Sequence, residues 1–474
     1  MKAYRRITDI QADLIAGKIT CVELVGHYLQ QINKKAHLNA FLEVWEEEAL
    51  QKADALDVKI ASGAYGKLAG VVIALKDNLS YTGHKVSASS KILENFEALY
   101  NGTAVERLAA EDAIFIGRTN CDEFAMGASN ENSAFGAVKN PFDESRVPGG
   151  SSGGSAVAVA SGMCHCSLGS DTGGSIRQPA AFNGIYGLKP TYGRISRWGL
   201  LAYASSFDQI GPFAHSIEDI ALLTEIMSGK DAHDATAIQE SALPTWNPKP
   251  REAQRFAVMK QAVEHPGIDE EVRNSFQILI AKLEADGHSI EWFDFPLLDQ
   301  MVPAYYVLTT AEASSNLSRY SGMMYGYRSK NASDLESTYT LSRTEGFGAE
   351  VKRRIMLGTF VLSSDQYDAY YEQAQKVRRI IQNETDTILS RNDAMLLPTT
   401  STPAFKIGEK SKDPVSMYLA DLFTVQANLA GNPAISIPSG TTENGLPIGV
   451  QLMTPRKSEN DLYDLSKLIE RALS

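Results

Sequence analysis

Apolar runs of strand length alternate with amphipathic helical stripes along much of the chain. The all-apolar run Val71 to Leu75 predicts a strand that is buried on both faces. A helix that begins near Thr103 follows it, and then a second strand from Ala113 to Gly117. This strand–helix–strand order predicts an α/β architecture with buried strands.

Helical patterns dominate the N-terminal region, residues 1–62. Thr8 to Ala16 and Thr20 to Ile32 read as amphipathic helices, and a charged helix runs roughly from Glu46 to Ile60. Gly63 is the expected stop of the third helix, because glycine is the usual residue just beyond a helix end.

The second half repeats the alternation and then becomes helical. Phe256 to Met259, Asp269 to Ala285 and Ile290 to Phe293 predict a strand, a helix and a strand. Residues 300–392 are mainly helical and tyrosine-rich, and we interpret them as a helical cap over a pocket, part of which could also face a partner. Three later runs, 394–397, 434–437 and 448–453, return as strands.

Composition narrows the class of protein. Of the 474 residues, 43% are hydrophobic and 22% are charged, which is typical of a globular protein. The net charge of −12 argues against a dominant phosphate-contact surface, since nucleic-acid binders usually carry a basic face. The four cysteines suit a reducing compartment, and the start MKAYRRITDI has no hydrophobic signal core. We therefore expect a cytoplasmic protein without membrane spans.

A glycine- and serine-rich stretch runs from Gly149 to Pro179. Its first 27 positions hold eight glycines and seven serines, but the apolar run Ala156 to Ala160 inside it excludes a flexible linker. The pattern predicts a short helix, a strand from Cys164 to Leu168, and a second helix from about Ile176 to Ala181. Ser151 and Ser175 would then lie where helices begin, and free backbone N–H groups gather there.

Several interpretations of this stretch compete. The serines could simply cap helices, or the glycines could hold a phosphate, although no Gly-Lys-Ser/Thr follows them. Catalytic serines are the third possibility, because an acyl-transfer site needs N–H donors around a developing oxyanion. Cys164 and Cys166 have no second pair, so we expect no metal site.

Lys76 is the candidate base for a catalytic serine. It directly follows the buried run, at the carboxyl end of the strand, where ligands bind in open α/β sheets. Burial would lower its pKa, and a neutral lysine can accept a proton. The alternative is a solvated lysine at the end of a strand.

Three motifs resemble those of the amidase signature family of serine hydrolases. They are ALKDN at 74–78, GGSSGGS at 149–155 and GSDTGGSIRQPAAFNGIYGLKPTYGR at 169–194. The resemblance implies a Ser-cisSer-Lys triad, with Ser175 as the nucleophile, Ser151 as the bridging serine and Lys76 as the base. It also implies one α/β/α domain over residues 1–474, with a mixed central sheet between helices.

The same resemblance implies the remaining parts of the site. Backbone N–H groups around Thr172, Gly173, Gly174 and Ser175 would hold the oxyanion. No cofactor or metal is expected on this chain.

Further segments resemble a branch of that family, the A subunits of aspartyl/glutamyl-tRNA amidotransferases. They include DEFAMG at 122–127, AEASSNLSRYSG at 311–322 and EVKRRIMLGTF at 350–360. The resemblance implies a glutaminase that supplies ammonia to a B subunit. There ATP and Mg²⁺ would activate Glu-tRNA(Gln) or Asp-tRNA(Asn), a C subunit would brace the pair as a heterotrimer, and tRNA would bind mainly to B.

Recognition of free glutamine calls for one cation and one anion. By resemblance, Arg354 would bind the α-carboxylate and Asp421 the α-ammonium, with Tyr305 nearby; Arg353 is the alternative to Arg354. A stand-alone amidase for small aliphatic or aryl amides remains the alternative function. A catalytically idle scaffold is disfavoured, because all three triad positions are filled.

Overall fold

One eleven-stranded sheet organises the part of the chain that the computed structural model describes, residues 2–410, 417 and 419–473. The strands, numbered in chain order, are β1 (Phe41–Val44), β2 (Val72–Lys76), β3 (Ile114–Thr119), β4 (Cys166–Asp171), β5 (Tyr186–Lys189), β6 (Gln209–Ala214), β7 (Arg255–Met259), β8 (Ser289–Phe293), β9 (Ala394–Pro398), β10 (Ala434–Thr441) and β11 (Pro447–Met453).

The sheet is mixed, as predicted. Its order is β1-β3-β2-β4-β6-β5-β10-β11-β9-β7-β8. Strand β2 runs parallel to both β3 and β4, and β7 runs parallel to both β8 and β9. The strands between these two groups pair antiparallel. The strand–helix–strand unit predicted around residues 256–293 is the β7–β8 pair with the helix between them.

The helices have the following bounds: α1 (Ile7–Ile15), α2 (Cys21–Lys34), α3 (Glu46–Ser62), α4 (Thr103–Ala110), α5 (Gly153–Ala160), α6 (Arg177–Phe182), α7 (Ile217–Met227), α8 (Lys260–Glu264), α9 (Glu270–Ala285), α10 (Leu298–Asn316), α11 (Leu335–Gly346), α12 (Ala349–Val361), α13 (Gln373–Leu389), α14 (Val425–Ala430) and α15 (Glu459–Leu473). None of the described helices is both long and apolar enough to cross a membrane.

Helices cover both faces of the sheet. Val72 and Ala74 belong to the core cluster that also contains apolar residues of α2, α3 and α5. Ile73 and Leu75 face the opposite cluster, with residues of α7, α9 and α15. Because successive side chains of a strand point to opposite faces, β2 is buried on both sides. The predicted α/β/α sandwich is confirmed.

Residues 300–392 are mainly helical, as expected. Helices α12 and α13 both pack on α10, α11 packs on a 3₁₀ turn (Lys91–Leu93), and a π-helical turn (Tyr367–Glu372) leads into α13. Tyr305, Tyr306 and Tyr320 are buried in their shared core. The division of the chain into domains stays a prediction.

Two predicted boundaries next to the site were wrong. The strand predicted at 164–168 is β4, which continues to Asp171 because Asp171 pairs with Gln209 of β6. The strand predicted at 71–75 includes Lys76, which lies opposite Thr119 of β3. Long-range pairing, which a local pattern does not contain, sets both ends. As a result the polar ends of β2 and β4 lie near each other, since Leu75 pairs with Leu168.

A fully buried guanidinium ties the end of β4 to the other half of the sheet. Arg177 donates to both oxygens of Asp171, at 3.0 and 3.1 Å. It also donates to the Thr424 carbonyl oxygen at 2.8 Å, to Gln451 Oε1 at 3.0 Å and to Asn428 Oδ1 at 2.7 Å. These five hydrogen bonds use the whole donor set of an arginine side chain.

We expect Arg177→Met to destabilise the protein severely. The substitution leaves Asp171 as an uncompensated buried carboxylate, which costs about 3–5 kcal/mol. The measurement is the thermal unfolding midpoint. Arg6→Ala, which removes an exposed ion pair with Asp9, is the control and should leave the midpoint nearly unchanged. Equal midpoints for the Arg177 variant and the unchanged protein would contradict this view of the network.

Candidate active site

Lys76 lies at the centre of a buried group of serines. Its Nζ is 2.7 Å from Ser151 Oγ, 2.9 Å from Ser152 Oγ and 2.9 Å from Ser170 Oγ. The lysine has no solvent exposure. Asn78 donates to Ser170 Oγ at 2.9 Å and holds that hydroxyl in place. The alternative of a solvated lysine at the end of a strand is wrong.

The surroundings of Lys76 favour its uncharged form. Burial lowers the pKa of the amine to about 8, although the carboxylates of Asp122, Asp171 and Asp208 partly oppose the shift. No carboxylate of the described residues is within hydrogen-bonding distance of Nζ; its partners are three hydroxyls and the Ser170 carbonyl. An amine with such a pKa can take a proton near neutral pH.

Ser151 is completely buried, and the Gly150–Ser151 peptide bond is cis. Its carbonyl oxygen accepts from the backbone N–H of Asp122 at 3.1 Å. The hydroxyl points to Lys76, so the structure brings together the two residues expected to form the inner half of the triad. Ser152 is completely buried as well, and Ser175 is 8% exposed.

Ser175 lies on the loop between β4 and α6. Its carbonyl oxygen accepts from the Ser152 N–H at 3.2 Å, which joins this loop to the one that carries Ser151. Within the described ranges, Ser175 Oγ forms no hydrogen bond. The Lys76–Ser151 contact of the expected relay is therefore made, and the Ser151–Ser175 transfer stays a prediction. Catalytic hydrogen bonds often tighten only when substrate binds.

Asp171 shapes the loop that carries Ser175. Burial alone would raise its pKa, but Arg177 and further partners lower that pKa to about 2, so the group is a carboxylate. It accepts from the Gly174 N–H at 2.9 Å and from the Ile176 N–H at 3.2 Å. The expectation that Gly174 donates to an oxyanion therefore needs correction, since its N–H is already used.

The remaining oxyanion candidates differ in their contacts. The N–H groups of Gly173 and Ser175 donate to no group of the described residues. Thr172 contributes a different contact, because its hydroxyl donates to Asp208 Oδ1 at 2.6 Å. Burial raises the pKa of Asp208 to about 6. The Thr172 contact uses its hydroxyl and not its backbone N–H, so the N–H groups of Thr172, Gly173 and Ser175 all stay candidates for the oxyanion.

Close packing explains why the loop has two consecutive glycines. A Cβ on Gly173 would lie 2.5 Å from the Tyr305 hydroxyl. A Cβ on Gly174 would lie 2.3 Å from Thr424 Oγ1, and Gly174 has a φ of +134°, which disfavours side chains. The structure therefore places Tyr305, an expected substrate-binding residue, directly against the nucleophile loop.

Arg354 and Asp421 lie on either side of one tyrosine. The Arg354 guanidinium is 5.1 Å from the centre of the Tyr306 ring and donates to the Tyr203 hydroxyl at 2.8 Å. The Tyr306 hydroxyl donates to Asp421 Oδ2 at 3.0 Å. Burial raises the pKa of Asp421 to about 7, although Tyr306 and Arg354 oppose the shift. The sequence analysis did not identify Tyr306 as a residue of the site. The only indication was its position next to Tyr305, which was expected to bind substrate.

The choice between the two arginines is clear in structural terms. Arg354 is 3% exposed and also donates from Nε to Glu350 at 2.8 Å. Arg353 has a half-exposed side chain and pairs with the same glutamate. Arg354 is the arginine that reaches the aromatic residues beside Asp421.

A cavity of about 170 Å³ opens beside these groups. One wall is a loop from Gly127 to Asn132 and the other is α12. A Cβ on Gly150 would lie 2.5 Å from Ser129 N, so the residue before Ser151 abuts the loop wall. The lining residues are Gly127, Ser129, Glu131, Asn132, Ala349, Glu350, Arg353, Arg354, Lys410 and Met417.

Asp122 has a role that the sequence did not reveal. Its carboxylate does not cap the 3₁₀ turn that follows it. Instead it accepts from the Asn130 N–H at 2.9 Å and from the Asn132 N–H at 3.1 Å, and so holds the loop wall. A local pattern could not show this, because the partners lie eight and ten residues away.

One group of metal-ligand type occurs in the described part of the chain: His165, Cys166 and Asp219, all buried. His165 Nε2 is 2.9 Å from Asp219 Oδ2, and the other carboxylate oxygen accepts from the Ile7 N–H at 3.0 Å. This hydrogen bonding accounts for the buried carboxylate without an ion. The absence of a metal site stays a prediction.

Comparisons with known proteins agree with the motifs. An amidase family model matches residues 23–463. The A subunit of glutamyl-tRNA(Gln) amidotransferase from Chlorobium limicola is 49% identical over 468 residues, which cover 98% of each chain.

Solved structures show the same relationship. The A subunit of glutamyl-tRNA(Gln) amidotransferase from Thermotoga maritima superposes with a TM-score of 0.78 at 40% identity, over 95% of this chain and 91% of that chain. The peptide amidase from Stenotrophomonas maltophilia superposes with a TM-score of 0.82 at 27% identity, over 99% and 97%. The chain belongs to the amidase family, in which it is similar to glutamyl-tRNA(Gln) amidotransferase A subunits over nearly its full length.

Proposed function

We propose that this chain is the glutamine-hydrolysing component of a tRNA-dependent amidotransferase. The observation that carries the proposal is the buried Lys76–Ser151 contact beside the Ser175 loop, next to an Arg354–Asp421 pair of opposite charge. The name shared by its relatives, which are A subunits of glutamyl-tRNA(Gln) amidotransferases, supports the same function.

The mechanism begins with proton transfer to Lys76. The neutral amine takes a proton from Ser151 as Ser151 takes one from Ser175, and Ser175 Oγ attacks the side-chain amide carbon of glutamine. The Gly173 and Ser175 N–H groups stabilise the oxyanion, and each such donor is worth about 3–4 kcal/mol of barrier. The proton then returns to the leaving nitrogen, which departs as ammonia, and water hydrolyses the glutamyl ester on Ser175.

Arg354 and Asp421 select the substrate. The guanidinium binds the α-carboxylate of glutamine, and the Asp421 carboxylate binds the α-ammonium. Tyr305, which packs on Gly173, limits the space beside the nucleophile. The alternative, a stand-alone amidase for small neutral amides, leaves this buried pair without a purpose.

The ammonia is used elsewhere in a complex. We propose that B and C subunits are the partners in a heterotrimer. The B subunit would bind ATP and Mg²⁺, and the acceptor would be Glu-tRNA(Gln), Asp-tRNA(Asn) or both. The net charge of −12 supports a location of most tRNA contacts on another chain of the complex. The assembly would be cytoplasmic.

Ser175→Ala should abolish glutaminase activity. Loss of the nucleophile lowers kcat on the order of 10³-fold or more, because no covalent intermediate forms. The measurement is glutamate release by the complex purified with its B and C subunits. Ser167→Ala is the matched control, since its buried hydroxyl donates to the Ser155 carbonyl oxygen of α5 and touches no site residue. Turnover of the Ser175 variant within a few-fold of normal would end the assignment.

The rate of glutamine hydrolysis should rise with pH and level off near pH 8. Burial lowers the pKa of Lys76 to about 8, so the reactive neutral amine is the minor form below that pH and the major form above it. At saturating glutamine, kcat should therefore fall about tenfold per pH unit well below pH 8. A kcat that is constant from pH 6 to pH 9, or that falls as pH rises, would rule out Lys76 as the base.

Arg354→Ala should raise KM for glutamine far more than Arg353→Ala. Removal of a buried charged partner costs about 2–5 kcal/mol, which corresponds to a KM increase on the order of 10²-fold. The exposed Arg353 provides the control on the same helix. Equal KM values for the two arginine variants would reject the role of Arg354.

Propionamide, which lacks both charges, tests the alternative function. If the unchanged protein hydrolyses propionamide better than glutamine, the stand-alone amidase is correct.

A further inference from the structure

Glu123 is a buried carboxylate that the proposed mechanism does not use. We propose that Glu123 is a positioning residue: it joins the loop wall and the helix wall of the 170 Å³ cavity and so sets where Arg354 lies. The inference rests on the proposed function, because Arg354 matters only if the cavity binds a carboxylate. Glu123 itself does not line the cavity.

The side chain of Glu123 holds the helix wall. The Gly348 N–H, at the N-cap of α12, donates to both carboxylate oxygens, at 2.8 and 3.1 Å. Ser90 donates its hydroxyl to Glu123 Oε1, and the same serine Oγ is 3.4 Å from the Gly346 carbonyl oxygen. A carboxylate at this end of the helix also complements the helix dipole. Glu123 thereby fixes the start of α12.

The backbone of Glu123 holds the loop wall. Its N–H donates to the Asn132 carbonyl oxygen at 3.2 Å. The preceding residue, Asp122, accepts from the N–H groups of Asn130 and Asn132. The Asp122 N–H donates in turn to the Ser151 carbonyl oxygen. Two adjacent acids therefore connect the bridging serine, the loop wall and the helix wall.

The packing at Gly348 shows that the start of α12 lies directly against the Glu123 side chain. A Cβ on Gly348 would lie 2.3 Å from Glu123 Oε2. The backbone of Gly348 has φ −69° and ψ 170°, which any residue adopts, so only this contact requires glycine. Arg354 lies six residues further along the same rigid helix, so a displacement at Gly348 would move its guanidinium relative to Tyr306.

The test is the KM for glutamine of Glu123 variants in the complex with the B and C subunits. Glu123→Ala should raise KM about tenfold, because a buried acceptor of hydrogen bonds from Gly348 and Ser90 is lost, while kcat changes little. Glu123→Gln should stay within about threefold of the unchanged protein, since its amide oxygen can still accept from Gly348 and its NH₂ can donate to Ser90.

Three further variants separate positioning from general stability. Glu123→Ala combined with Arg354→Ala should have the same KM as Arg354→Ala alone, because Glu123 acts through that arginine. Gly348→Ala keeps Glu123 but places a methyl group against its Oε2, so either the carboxyl group or the helix must move, and KM should rise as in Glu123→Ala. If Glu123→Ala does not fold, Gly348→Ala provides the same test of the inference. Glu225→Ala, which removes a buried carboxylate of α7 that pairs with Lys67, should leave KM unchanged.

An unchanged KM in both Glu123→Ala and Gly348→Ala overturns the inference while leaving the proposed function intact. Additive effects in the double variant overturn it as well, because they place Glu123 on a route independent of Arg354. If the unchanged complex does not hydrolyse glutamine, the proposed function and this inference fail together.

Discussion

The buried ion pair between Asp171 and Arg177 is the interaction on which the candidate site depends. A carboxylate without a partner would not stay ionised at this depth. Because Arg177 keeps it ionised, Asp171 accepts from the N–H groups of Gly174 and Ile176 and so fixes the peptides on both sides of Ser175. The same guanidinium binds the Thr424 carbonyl oxygen, only three residues from Asp421. The loop that carries Ser175 and the segment that carries Asp421 are therefore aligned by one side chain.

The second buried cation of the site has the opposite requirement. Arg177 must remain charged and is matched by a carboxylate, whereas Lys76 must be able to lose its proton and is surrounded by hydroxyls. A hydroxyl can either donate or accept, so Ser151, Ser152 and Ser170 can hydrogen bond to both forms of the amine. A carboxylate in direct contact would favour the ammonium and raise its pKa. This explains why serines, and not acids, line the pocket of the lysine.

Local pattern was sufficient for the main elements, and the motifs named Lys76, Ser151 and Ser175, of which the structure brings the first two into contact. The apolar runs predicted the buried strands, because a strand that is buried on both faces is apolar at consecutive positions. The three motifs could be recognised because each is a short continuous segment of the sequence. The end of β4 was missed because Asp171 pairs with Gln209, 38 residues later in the sequence. The contacts of Asp122 and Glu123 were not predicted, because the N–H groups that their carboxyl groups bind, those of Asn130 and Gly348, are not their neighbours in the sequence. The hydrogen bond from the Gly174 N–H to Asp171 was likewise not predicted, because it depends on the conformation of the loop.

The tyrosine between Arg354 and Asp421 makes the ionisation of the aspartate depend on the substrate. Burial raises the pKa of Asp421 to about 7, so neither Tyr306 nor Arg354 fully compensates the loss of water. A bound α-ammonium would supply the missing positive charge and lower that pKa. Binding of a zwitterion near neutral pH would thus be coupled to release of a proton from Asp421. A neutral amide offers no such compensation, so it would gain no electrostatic stabilisation from Asp421.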